Sequence, residues 1–145
     1  MERSNSSTDL GGVRVDVGLQ FHKIIDYDRK AMRRALSRGA ADVRKEARRL
    51  LSRRAISAPG EMPGMVTGDL RRAIGIVSRG TKGGWVKIAP RSIEGSKFYP
   101  AFLFYGSRKR NIAPRGNYMA EALQRRRESV RSMIQSALRD SLVPR

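Results

Sequence analysis

Two stretches with helical apolar spacing lie toward opposite ends of the chain, and any fold must cover both. In the first, Met32, Leu36, Ala40, Val43, Ala47 and Leu50 recur so that they share one face of a helix running to about Arg54. Arg29, Arg33, Arg34, Arg44, Arg48 and Arg49 fall mostly off that stripe and give the helix a basic outer face. Asp26 or Asp28 can accept hydrogen bonds from the first-turn amides as its N-cap. In the second, from Tyr118 to about Leu142, the stripe is Met119, Leu123, Val130, Ile134, Ala137 and Leu138, with Asn117 as N-cap. Arg125, Arg126, Arg127, Arg131 and Arg139 lie largely on its other sides.

The covering surface has to come from the rest of the chain. Val13 to Phe21 alternates apolar and polar positions as a half-buried strand does. Ile74 to Arg79 and Trp85 to Ala89 form a hairpin about the turn Gly80-Thr81-Lys82-Gly83-Gly84. Between the first helix and this hairpin, Ala58 to Gly68 carries prolines and glycines too densely for regular structure, and Thr67 can cap a helical turn at Asp69 to Ala73. The expected fold is α+β: a small antiparallel sheet, made of the N-terminal strand plus the hairpin, packed against two long amphipathic helices. A chain of 145 residues with 39% hydrophobic content supplies one core. We therefore expect a flexible polar arm over residues 1–12, one domain over residues 13–142, and assembly loops at about 55–68 and 107–116.

The charge demands a partner. Lys plus Arg number 31 against 13 Asp plus Glu, a net charge of +18, which repels copies of the chain and attracts phosphate or acidic protein. Arginine far exceeds lysine, and its planar fork binds carboxylates and phosphates bidentately. The candidate partner or DNA contacts are Arg108, Lys109, Arg110 and Arg115 in the second loop and Arg33, Arg34, Arg44 and Arg48 on the first helix. Arg125, Arg126 and Arg127 are consecutive helical residues that point apart and cannot form one flat patch. The aromatic segment with Phe98, Tyr99, Phe102, Phe104 and Tyr105 has no interleaved cations and is expected to pack in the core rather than stack on bases. Trp85 is read as a core or interface anchor.

Enzymatic chemistry finds little material. His22 is the single histidine, and a general base needs a positioned partner and a nucleophile. Asp42 and Glu46, one helical turn apart, are expected to make ion pairs within their helix rather than hold a metal. The glycines at 80–84 lack the spacing of a phosphate loop. No cysteine is present, which fits synthesis in a reducing cytoplasm, and neither a signal peptide nor a membrane span is legible. No cofactor, metal or catalytic residue is expected.

Four features taken in order carry a likeness: the helix opening Arg29-Lys30-Ala31-Met32, the stretch Thr67-Gly68-Asp69-Leu70-Arg71-Arg72-Ala73-Ile74 after a proline-bearing loop, the segment Phe98-Tyr99 to Tyr105-Gly106, and Pro114 to Leu123 leading into the last helix. In that order the chain resembles the short neck and tail-completion proteins of long-tailed phages, the group related to minor tail protein Z of lambda-like phages. The resemblance spans roughly Val13 to Leu142. It implies a non-enzymatic virion component at the head-tail junction, one subunit of a homo-oligomeric ring around the DNA channel. Its implied neighbours are a tail terminator, connector or head-closure ring, with DNA possible in the lumen and no membrane involved. The competing expectation is a sequence-independent nucleic-acid-binding protein, for which the charge alone would suffice; a basic RNA-cleaving protein using His22 is a remote third.

Overall fold

The computed structural model describes residues 13–16, 27–51, 53–54, 56–78, 84–91 and 100–142. The polar arm, the continuation of the first strand to Phe21, Asp26, His22, the hairpin turn at 80–83 and Phe98 and Tyr99 lie outside the described residues.

The fold is α+β. In chain order come β1 (Val13–Asp16), α1 (Arg29–Leu50), α2 (Asp69–Ala73), β2 (Ile74–Val77), β3 (Trp85–Pro90), α3 (Pro100–Tyr105), a 3-10 turn (Arg108–Arg110) and α4 (Tyr118–Ser141). The sheet is antiparallel in the order β1-β3-β2, with Val13 opposite Ile88 and Ile76 opposite the same Ile88 on the other side. Pro90 ends the central strand, beyond the residues that pair with β1, where its missing N–H removes no ladder bond.

The caps explain the helix starts. The Asp28 carboxylate accepts from the Lys30 and Ala31 amides at 2.8 and 3.1 Å, and Asn117 Oδ1 accepts from Ala120 N at 3.0 Å. The backbone hydrogen bond from Ala31, then that from Lys30 and the nearby Arg34 and Lys30 charges, hold the exposed Asp28 carboxyl below its ordinary range against some loss of hydration. Gly68, in the left-handed conformation with φ 78°, turns the chain into α2, and the carboxylate of Asp69 is held by the Thr67 hydroxyl and the Arg72 guanidinium.

The core joins Leu36, Ala40, Val43, Ala47 and Leu51 from the first helical segment to Leu70, Ile74, Val86 and Ile88, and to Tyr118, Met119, Ala122 and Val130 of α4. α1 is the central layer: one side lies on β2 and β3, and α4 packs along another, reaching the sheet at β1. Gly39 lets the helices approach closely, because a Cβ there would stand 3.0 Å from Val130 Cγ1. The expected end of α1 at about Arg54 is too late. The backbone turns extended at Leu51, which is buried while Leu50 is only half-buried.

Candidate functional site

The loop after α3 is a built turn. Gly106, at φ 75°, stops the helix with its amide bonded to Phe102 O at 2.9 Å. Ser107 and Ile112 exchange both backbone hydrogen bonds, Ser107 N to Ile112 O at 2.8 Å and Ile112 N to Ser107 O at 2.9 Å. Between them, Asn111 takes a left-handed φ of 50° and returns its amide to Arg108 O. Arg108, Lys109 and Arg110 all stand exposed on this closed turn, with the Arg110 guanidinium 4.5 Å from the centre of the Phe102 ring.

Gly106 tolerates no side chain. A Cβ there would fall 2.9 Å from the Ile112 carbonyl oxygen and from Pro114 Cδ. Gly106→Ala should therefore cost about 1–3 kcal/mol, combining the left-handed penalty with the clash. Hydrogen exchange should show the 107–112 amides opening faster than in the wild type while those of α1 stay protected; unchanged exchange would contradict the tight turn.

The two loops expected as separate assembly elements are one structure. Gly60 N donates to Pro114 O at 3.0 Å, and Gly116 N donates to Glu61 O at 2.8 Å. Within the first loop, Gly64 N reaches Ser57 Oγ, Met65 N reaches Arg54 O, and Pro63 is fully buried. The joint rim exposes apolar side chains: Ile56 is 86% exposed, Val66 79% and Tyr105 61%. Ile56, Val66, Leu51, Leu103 and Arg115 border a cleft of about 320 Å³. Arg115 is half-buried, its amide bonded to Leu103 O at 2.8 Å and its Nη1 enclosed without a hydrogen-bond partner. Of the four loop cations, three therefore face outward and Arg115 turns toward the protein.

The described rings of the aromatic segment do not enter the core as expected. In α3, Phe102 and Phe104 are half-buried and Tyr105 is exposed, with the Phe104 and Tyr105 rings edge to face at 4.7 Å. Successive helical residues point in different directions, so this short helix directs Leu103 against the core and leaves the rings along the rim. Trp85 is half-buried in β3.

On α1 the candidate arginines divide. Arg33 and Arg34 are exposed. Arg44 and Arg48 are half-buried and border a cleft of about 440 Å³ with Arg72, Arg91, Asp69 and the edge of β2. Arg48 Nη2 donates to Ile74 O at 3.0 Å. Burial, and then the charges of Arg44 and Arg71, lower the Arg48 pKa from its ordinary value. Sequence reasoning missed Arg72, in the short α2, and Arg91, which reaches this cleft because the sheet brings the end of β3 beside the start of β2.

The acidic pair on α1 also departs from expectation. Glu46 is 1% exposed and does bind Arg49 of its own helix at 2.8 Å, but it also binds Arg126 Nη2 of α4 at 3.0 Å and lies 3.6 Å from Arg125 Nη1. Ser129 Oγ donates to Asp42 Oδ2 at 3.3 Å, and Arg126 Nε lies 3.9 Å from Asp42 Oδ1. Arg126 thus joins the two long helices, whereas Arg125 is exposed, binds Glu121 of its own helix at 2.8 Å and only borders Glu46, and Arg127 is exposed as well.

Among the described residues no cluster of His, Cys, Asp or Glu could hold a metal ion, and no helix is long and apolar enough to cross a membrane. No family model matches the chain, and neither a curated protein nor a solved structure matches it.

Proposed function

We propose that the chain is a structural, non-catalytic component of a tailed-phage virion, a neck or tail-completion protein that forms part of a ring around the DNA channel at the head-tail junction. The observation that carries the reading is the rim formed by two loops far apart in sequence. Main-chain bonds between residues 60–61 and 114–116 hold it; exposed Ile56 and Val66 border its cleft together with Arg115, and Tyr105 stands exposed at the end of α3, from which the chain runs into the basic turn Arg108–Arg110. Exposed apolar and aromatic groups beside arginine are the composition of a protein interface. The order of helix, proline-bearing loop, hairpin, aromatic segment and capped helix supports the phage assignment. On this reading the partners are neighbouring subunits and adjoining neck or tail rings, and the protein is made in the bacterial cytoplasm before it joins the virion.

Replacing Arg108, Lys109 and Arg110 together by Glu should leave the thermal melt within a few degrees of wild type, because all three side chains are exposed. The same variant should fail to complete infectious particles. Wild-type infectivity would remove the turn as a contact.

The second reading, a free-standing nucleic-acid binder, is favoured by the outward arginines at 33, 34, 108 and 110. Titrating short duplex DNA across a salt series separates the two. A free-standing binder retains appreciable affinity with a steep salt slope. An assembly subunit ignores DNA at moderate salt and forms rings with a head or tail partner.

A further inference from the structure

The cleft of about 440 Å³ lies where α1, α2 and the outer edge of β2 meet. In the order β1-β3-β2, the far side of β2 has no neighbouring strand. Its hydrogen-bonding phase is fixed by the bond from Arg91 N to Ala73 O at 2.8 Å, one pair beyond Ile74 opposite Pro90. Antiparallel ladders alternate, so Gly75 and Val77 address β3 while Ile74 and Ile76 turn their backbone groups outward. Both outward carbonyls are occupied by arginine: Ile74 O accepts from Arg48 Nη2 at 3.0 Å, and Ile76 O from Arg91 Nη2 at 2.7 Å. The edge is thereby converted from a row of acceptors into a row of cations, which also guards it against pairing with another copy.

The charges in this cleft do not balance. Arg44, Arg48, Arg72 and Arg91 border it, and its one acid, Asp69, is already held by Thr67 and Arg72. Arg48 Nε is enclosed without a hydrogen-bond partner, so a donor is buried there unused. We infer that this cleft docks an acidic, extended segment of a partner protein, with carboxylates pairing to Arg44, Arg48 and Arg91 and the segment running along the edge of β2.

The shape favours a peptide over duplex DNA. Half-buried Ala73 and Ile76 give the cleft an apolar wall, and half-buried Arg48 borders it. A carboxylate on a flexible side chain reaches such a group. The phosphates of a duplex sit on a convex rod and are met by long side chains projecting into solvent. The proposal deepens the assembly reading and rests on it for a protein occupant. The two fail separately, because the isolated chain can lose peptide binding while rings still form, and the reverse.

The test is fluorescence anisotropy with a labelled glutamate-rich peptide of about eight residues, using three proteins. Arg44→Met with Arg91→Met should weaken binding about tenfold, whereas Arg33→Met with Arg34→Met, which removes the same charge from an exposed site, should change it less than about twofold. The first pair leaves Arg48 and its bond to Ile74 in place, so the fold is retained. Peptide should also slow hydrogen exchange over residues 74–77. Absence of binding, or equal losses from both pairs, would overturn the inference. Displacement of the peptide by duplex DNA with the same protection of residues 74–77 would overturn it in favour of nucleic acid.

Discussion

Val43→Asp should abolish the folded state. Val43 is 1% exposed at the centre of the layer where α1 meets both β3 and α4, within a cluster that includes Leu36, Ile88, Met119 and Ala122. A carboxylate there has either to ionise in an apolar surround or to remain protonated far from its ordinary range. Each route costs several kcal/mol, comparable with the ~5–15 kcal/mol that separates folded from unfolded domains. Val43→Ala, which removes only packing, should cost about 2 kcal/mol and keep a cooperative melt. Arg33→Asp, on the exposed side of the same helix, should shift the melt little. Far-UV circular dichroism and soluble yield read all three. A soluble Val43→Asp protein with a wild-type melt would mean that α1 presents a different face to the sheet.

That prediction could be made from sequence, because a helical stripe states its own buried side. Met32, Leu36, Ala40, Val43 and Ala47 are all buried, Asn117 caps α4 as expected, and of the two acids that could cap α1 it is Asp28 that does so. The second stripe was less complete. Met119 and Val130 are buried, but Leu123, Ile134, Ala137 and Leu138 are half-buried, while Tyr118 and Ala122 supply the rest of the core contact. The difference follows from position: α1 is covered on two sides, whereas α4 is covered chiefly by α1. The basic turn was legible as a loop because Gly106 and Pro114 bound it. Its union with the Pro63 loop was not, since the bonds from Gly60 to Pro114 and from Gly116 to Glu61 are main chain to main chain and leave no side-chain signature. The arginine cleft was hidden for a related reason, as Arg91 comes to border the same cleft as Arg48 through strand register.

Glu46 is the residue whose role sequence most understated. Its principal α4 partner stands 80 positions away, so local spacing pointed only to Arg49 and neighbouring cations. Glu46→Ala should cost about 3 kcal/mol, the lower end expected when one partner of a buried ion pair is removed, because Arg49 and Arg126 can still reach water. In a double-mutant cycle with Arg126→Met, the coupling should be about 1–2 kcal/mol.

The pH dependence has a definite sign. The Arg49 hydrogen bond, followed by that from Arg126, holds the Glu46 carboxyl below its ordinary range against the opposing effect of burial. A depressed folded-state pKa means that the unfolded chain takes up the proton first. The stabilisation is complete above the ordinary glutamate range and fades as pH falls through it toward the lower folded value. The Tm difference between wild type and Glu46→Gln, measured from about pH 7 to about pH 3, should therefore shrink on acidification. A difference that stays constant across that range would show that the cost of Glu46→Gln comes from packing, and that the arginines of α4 contribute no charge coupling to the seam between the long helices.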